Sequence, residues 1–381
     1  MSTKLVFTLA SIPIMVYITT NIYGYPIEHE FTWIAIASVL LTSVTFVTRY
    51  ALLGLSSVKH VLLYEGIGTS IKFILGFLLV ANGYGAFGIL LSFLAYSIVV
   101  TGGTLILVKS SLSFSLGDRK FFKQIISEGL SNTPSKLSRL FVIELSIVLL
   151  ALFGLASADA GIFYIASMVS FAAASFALST AFMVIPASSS SSKDLSSGSM
   201  RIGLSLTVPI ITVILVSPTG ILSLIGDQYE SGGTVLFILG LGILPFIIGI
   251  NGTSRLNNLG KQKEILIMGA AQTAAFLLSF VFFVPQLGIL GAAYSVVIGF
   301  IVSAIISITW LEKIAIRYIL FSMVAIAAGY GLGEAIIHIA TMYYVVGMLA
   351  SIIASFVILL VVKNTSLREI RQIIRATMKE R

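Results

Sequence analysis

Residues 85–108 read GAFGILLSFLAYSIVVTGGTLILV, an apolar and small-residue run with no charged side chain, closed on its C-terminal side by Lys109. A helix rises about 1.5 Å per residue, so this run is long enough for the roughly 30 Å of hydrocarbon in a bilayer. It lacks the strict alternation of a barrel strand, and in lipid each segment must pair its own backbone polar groups. The run therefore predicts a transmembrane helix.

The rest of the chain has the same character. Of 381 residues, 57% are hydrophobic and 10% charged, and the mean hydropathy is +1.07, more apolar surface than a soluble core can hide. Apolar runs bounded by charge, Gly or Pro place spans near 5–24, 32–54, 61–81, 86–108, 137–156, 161–186, 202–225, 234–253, 265–284, 288–310, 317–336 and 342–362. The expected fold is an all-α, polytopic membrane bundle of about twelve spans. The first run has no small-residue cleavage site and is long enough to cross, so it is read as a span and not as a removed signal peptide.

Lys and Arg accumulate in cytoplasmic loops. With the N-terminus inside, every basic residue except Lys72 falls on an inner loop or inner span end, while Glu28, Glu30, Asp159, Asp227, Glu230 and Glu334 fall outside. Adding or removing one span would scramble this separation. Both termini are therefore expected on the cytoplasmic side of a multi-pass protein of the cytoplasmic membrane. The net charge of +8 is explained by the same bias, because the basic residues do not form one patch interleaved with aromatics, as a nucleic-acid surface would. Cysteine is absent, and His29, His60 and His338 lie far apart in sequence. Thiol chemistry is excluded and a histidine metal site is not expected. No phosphate-binding loop, paired-acid pattern or nucleophile elbow occurs, so the chain reads as a non-enzyme without a cofactor.

Two cytoplasmic stretches are longer than the other loops. The first, 109–136, contains Asp118-Arg-Lys-Phe-Phe-Lys-Gln-Ile-Ile126, the pattern of an interfacial amphipathic helix joining two bundles. The second contains Ser188 to Ser192 and reads as a flexible linker. The tail, with Leu367-Arg-Glu-Ile-Arg-Gln-Ile-Ile-Arg375, is a basic amphipathic segment suited to anionic membrane lipids. The expected organisation is an N-terminal lobe 1–108 of four spans, a linker 109–136, a six-span lobe 137–310, two additional spans 311–362 and a basic tail 363–381.

An internal repeat supports two lobes. Gly85-Ala-Phe-Gly88 with Ser92 aligns at an offset of 203 with Gly288-Ile-Leu-Gly291 with Ser295, and Lys59-His60 aligns with Gln262-Lys263. Six spans separate the copies, so both have the same orientation, as in transporters built from parallel repeats.

An ionisable group inside a span costs about 2.5 to 3.5 kcal/mol on insertion scales and usually faces a cavity or a partner. Lys72 is such a group. Glu65 is two helical turns before it on the same face, near the cytoplasmic end, too far for direct pairing to be expected. Glu144, two turns into the fifth span, is the acid expected to be buried, with Lys136 and Arg139 on its cytoplasmic side. Arg49, Arg255 and Arg317 lie at inner span ends, where interfacial anchoring alone would account for them. The functional reading is a basic cavity, open to the cytoplasm, that holds an anionic headgroup. Pro209, Pro218 and Pro245 are candidate helix breaks, and Gly329 with Gly333 forms a face for helix packing.

Two stretches carry a resemblance. Ala158-Asp-Ala-Gly-Ile-Phe-Tyr-Ile-Ala166, continuing to Pro186, resembles a signature of polysaccharide-biosynthesis flippases. The order from Tyr229 through Asn257-Asn-Leu-Gly-Lys-Gln-Lys263 to Pro285-Gln-Leu-Gly-Ile-Leu-Gly-Ala-Ala-Tyr294 is similar to the lipid-linked oligosaccharide flippases of the multidrug/oligosaccharidyl-lipid/polysaccharide exporter superfamily. The resemblance implies a transporter of a lipid-linked sugar diphosphate working by alternating access, with glycosyltransferases as candidate partners. The family has two six-span lobes, so the likeness implies a chain lacking the first two helices. It assigns the substrate diphosphate to Lys72, Arg139 and Arg49, with Glu144 coupling an ion or holding the cations apart. Two alternatives stay open: a cation-coupled exporter of drugs or metabolites from the same superfamily, and a non-transporting scaffold for glycan assembly.

Overall fold

The computed structural model describes residues 30–54, 58–108, 142–190, 196–311, 313–339 and 344–361, with residues 13, 16 and 17. Among them, eight helices are long and apolar enough to cross a membrane, and three shorter apolar helices accompany them. The described residues contain no strand. The chain is a polytopic helical membrane protein. The described helices fall on the predicted spans from 32–54 onward, and most of the first predicted span lies outside the described residues, as do the linker 109–136 and the tail.

The chain divides into two compact units, 1–117 and 118–381. The first contains α1 (Glu30–Gly54), α2 (Val58–Ala81) and α3 (Gly85–Val108). Helix α3 packs along both others, whereas α1 and α2 barely touch. Lipid tails are as apolar as the helices, so association here depends on close packing and hydrogen bonds and not on water exclusion. The sequence supplies both. Along the α1–α3 seam Thr42 meets Ser97 at 3.3 Å, Thr45 meets Thr101, and Thr48 meets Thr104 at 2.7 Å. Both series rise together, so the two helices run parallel. Along the α2–α3 seam, Gly68 lies under Tyr96 and Val100, Gly103 under Tyr64, and Gly76 against Ser92.

The second unit contains α4 (Val142–Leu152), α5 (Ser157–Ser190), α6 (Ser196–Val216), α7 (Pro218–Ser223), a 3₁₀ turn (Asp227–Gly232), α8 (Gly233–Asn258), α9 (Gln262–Leu287), α10 (Ile289–Ile308), α11 (Lys313–Ile339) and α12 (Tyr344–Val361). Helix α8 is its axis, packed on α5, α6 and α10. Phe246 sits between Phe171 and Phe300, with ring centroids 6.0 and 4.9 Å away. The large apolar side chains left outside, such as Leu278, Ile305 and Val361, suit a lipid-facing surface.

Three expectations are sharpened. The predicted span 202–225 is broken at Ser217, whose φ of −142° and ψ of 62° lie outside the helical region immediately before Pro218; a proline ring disfavours the α conformation of its predecessor. Pro209 and Pro245 instead lie inside continuous helices. The serine run is helical through Ser190, with 191–195 outside the described residues.

The repeat reaches further than the glycine motif. At the offset of 203, α1, α2 and α3 fall on α8, α9 and α10, and α10 likewise packs along both partners while α8 and α9 barely touch. Gly85 and Gly288 open their helices with φ of +48° and +56°, which suits glycine and strains other residues.

In α11, Gly333 faces Val216 of α6 and Ser351 of α12, with room for no β-carbon, whereas Gly331 has nothing within 4 Å of that position. Gly333→Leu is expected to lower the amount of monodisperse protein recovered in mild detergent several-fold, and Gly331→Leu to leave it unchanged. Size-exclusion profiles of the two variants check this.

Candidate functional site

Three charged residues of the first unit's membrane helices, Arg49, Glu65 and Lys72, are brought together around Tyr96. Arg49, toward the end of α1, directs Nη1 to Glu65 Oε1 of α2 at 3.1 Å. The second carboxylate oxygen, Oε2, accepts a hydrogen bond of 2.7 Å from the Tyr96 hydroxyl of α3. Both Glu65 oxygens are engaged, one from each neighbouring helix.

Two turns further along α2, Lys72 lies against aromatic rings. Its Nζ is 4.8 Å from the centroid of Phe93, 5.5 Å from Tyr96 and 5.6 Å from Phe73. Phe93 and Tyr96 are three residues apart on α3 and so share a face. An ammonium over aromatic faces gains about 0.5 to 2 kcal/mol, more as water is withdrawn. Tyr96 thus touches both ends of the cluster: its ring borders Lys72 and its hydroxyl holds Glu65. With Arg49 and Lys72 cationic and Glu65 anionic, the cluster carries an excess positive charge.

The side chains remain open enough to meet a ligand. Arg49 is 44% exposed and Glu65 22%, and Lys72 is half-buried. Arg49 offers five N–H donors in a planar fork, and its contact with Glu65 engages one terminal nitrogen. The arrangement can bind an anion with several oxygens.

Of the residues singled out from sequence, the structure brings Arg49 and Lys72 into one cluster through Glu65 and Tyr96. Arg139 and Lys136 lie outside the described residues. Glu144 belongs to the second unit. Its helix buries Val142, Ile143, Ser146 and Leu150, while Glu144 points to the opposite, exposed side, not into the core as its depth in the span suggested. Tyr96 and Phe93 were missed, and Glu65 was recognised without its partners. The repeat held the missing signal: at the offset of 203, Arg49, Glu65, Lys72 and Tyr96 correspond to Gly252, Met268, Ala275 and Gly299. The second copy keeps the three-helix packing without any of these groups, so the packing does not require them.

In the second unit, Lys261 Nζ sits 3.9 Å from the Trp310 centroid, Arg201 5.9 Å from Tyr318 and Arg317 5.1 Å from Phe321, as expected of anchors at a membrane interface. A crevice in that unit, lined by Ile143, Ser170, Phe171, Ala174, Ile243, Phe246 and Phe300, is apolar. Among the described residues no group of three His, Asp or Glu side chains could hold a metal ion.

No family model matches the sequence, nor does any curated protein match it. Among solved structures, the fold is similar to that of the lipid II flippase MurJ in an inward closed conformation, with a TM-score of 0.66 at 14% identity, covering 93% of this chain and 80% of that one. At that identity the two share a fold.

Proposed function

We propose that this chain is a flippase that carries a lipid-linked sugar diphosphate across the cytoplasmic membrane by alternating access. A fold hosts many functions, so the likeness to a lipid II flippase does not carry the reading by itself. The observation that carries it is the excess positive charge of the Arg49, Glu65 and Lys72 cluster within apolar helices of such a fold. Unbalanced charge in a membrane helix is expensive, and an anionic ligand offsets that cost. A diphosphate brings the multidentate oxygens that an arginine fork recognises.

In this reading Arg49 and Lys72 neutralise the diphosphate while the lipid tail stays in the bilayer. A cation-coupled exporter is less well supported, because it needs a deep acid open to an incoming ion and both oxygens of Glu65 are already engaged.

Depleting the protein in its native cell is expected to stop export of a surface glycan and to leave its lipid-linked precursor accumulating on the cytoplasmic face, measured by extraction and enzymatic accessibility of the headgroup. Unchanged export with no accumulation would contradict the proposal.

A further inference from the structure

Two of the three helix pairs in the first unit are held together along their length, and one is not. Hydroxyl pairs join α1 to α3, and glycines let α2 and α3 approach closely. Helices α1 and α2 barely touch; among the described residues, Leu52 and Val61 pack with Val108 near the α1–α2 turn, and the Arg49–Glu65 ion pair is the polar link across the gap. The corresponding pair in the second unit, α8 and α9, also barely touches, and there Gly252 and Met268 stand at the matching positions. The fold therefore forms without this link.

Glu65 is retained on its own side of the gap. Tyr96 holds Oε2 from α3, and the ring of Tyr96 is seated over Gly68, one turn from Glu65 on α2. If Arg49 leaves, Glu65 keeps a hydrogen bond and α2–α3 remains packed. If a phosphate arrives, Arg49 can exchange one oxyanion for another of similar geometry.

We infer that the Arg49–Glu65 pair is a releasable latch between α1 and α2, in which the Glu65 carboxylate holds the place on Arg49 that a substrate phosphate takes, and Tyr96 keeps Glu65 on α2 after release. This rests on the proposed function for the identity of the anion, and it makes Glu65 an internal competitor and Tyr96 a positioning residue. The latch closes the gap in the empty protein and opens it only when an anion is present to accept Arg49.

The test uses the full chain purified in detergent and inorganic pyrophosphate as the probe, with binding followed by calorimetry. Glu65→Gln keeps an acceptor for Tyr96 and removes the competing charge. It is expected to bind pyrophosphate about fivefold more tightly than the native chain, the scale set by removing one partly exposed ion pair. The gain disappears when Arg49→Gln is added. Should Glu65→Gln fail to fold, Glu65→Asp, which keeps the charge and shortens its reach, is expected to give a smaller gain with the same dependence on Arg49. Unchanged or weaker binding in the folded variant, or a gain that persists without Arg49, overturns the latch. The glycan-export experiment reads separately: tighter pyrophosphate binding with no role in export would leave the latch standing and remove the flippase, and the reverse result would do the opposite.

Discussion

Lys72→Ala is expected to reduce glycan export at least about tenfold while the amount of protein in the membrane stays level or rises. The two halves of this result have separate causes. A hydrogen bond to a charged group contributes about 1.5 to 3 kcal/mol, equivalent to roughly ten- to a hundredfold in an equilibrium or a rate. Losing the Lys72 contact to a diphosphate should therefore be plain in export. Removing an ammonium from the middle of α2, however, relieves roughly 2.5 to 3.5 kcal/mol of insertion cost, so the helix itself should insert no worse. The rings of Phe93, Tyr96 and Phe73 remain to pack around a smaller side chain. Lys72→Arg should retain part of the activity, because a guanidinium also stacks on aromatic faces and binds phosphate. Export by complementation, read beside quantitative immunoblotting of membranes, checks all three statements. A variant that falls in export and abundance together would mean that Lys72 is structural.

The second large effect is expected at Gly291. A β-carbon there would collide with the backbone of α9, at the carbonyl of Phe283 and 2.8 Å from the nitrogen of Val284. Side chains can turn aside, but a helix backbone can move only by shifting the whole hairpin. Overpacking of this kind costs about 1 to 3 kcal/mol and sometimes more, and here it outweighs the gain of about 1 kcal/mol that alanine usually brings to a helix. Gly291→Ala should lose most of its folded protein in detergent and shift thermal unfolding to lower temperature. Gly102→Ala, where nothing lies within 4 Å of the added atom, should be neutral or slightly stabilising. If Gly291→Ala behaves like Gly102→Ala, the close approach of α9 and α10 is wrong.

How much of this was visible in the sequence depends on what each residue's reading required. The helices were legible because membrane spans announce themselves by length and apolarity. Lys72 was legible because a charge inside such a run has few innocent explanations. The Arg49–Glu65 pair was not, because it joins two helices whose proximity depends on a third, α3, that packs on both. Tyr96 carries no mark in the sequence, and only its height against Glu65 makes it special. The exposed side of Glu144 was unreadable for another reason: apart from Glu144 and Ser146, α4 is apolar, so its sequence has little phase to tell the core side from the outside. The break at Pro218, beside two prolines that break nothing, depends on where the chain turns next.

The repeat was legible as a glycine motif but not as a comparison of chemistry. Aligning the two copies position by position places Arg49, Glu65, Lys72 and Tyr96 in the first and Gly252, Met268, Ala275 and Gly299 in the second. The same three-helix packing thus occurs once with these four side chains and once without them, which is the strongest internal argument that the packing is not their purpose.

The central claim, that the chain moves a lipid-linked diphosphate by means of this cluster, is tested most directly in proteoliposomes. The purified chain is reconstituted with a fluorescent polyprenyl-diphosphate sugar, and transfer of the headgroup between leaflets is followed with a membrane-impermeant quencher. The account predicts protein-dependent transfer that is lost in Lys72→Ala. Transfer no faster than in protein-free liposomes, or equal transfer by native and Lys72→Ala protein, would contradict it.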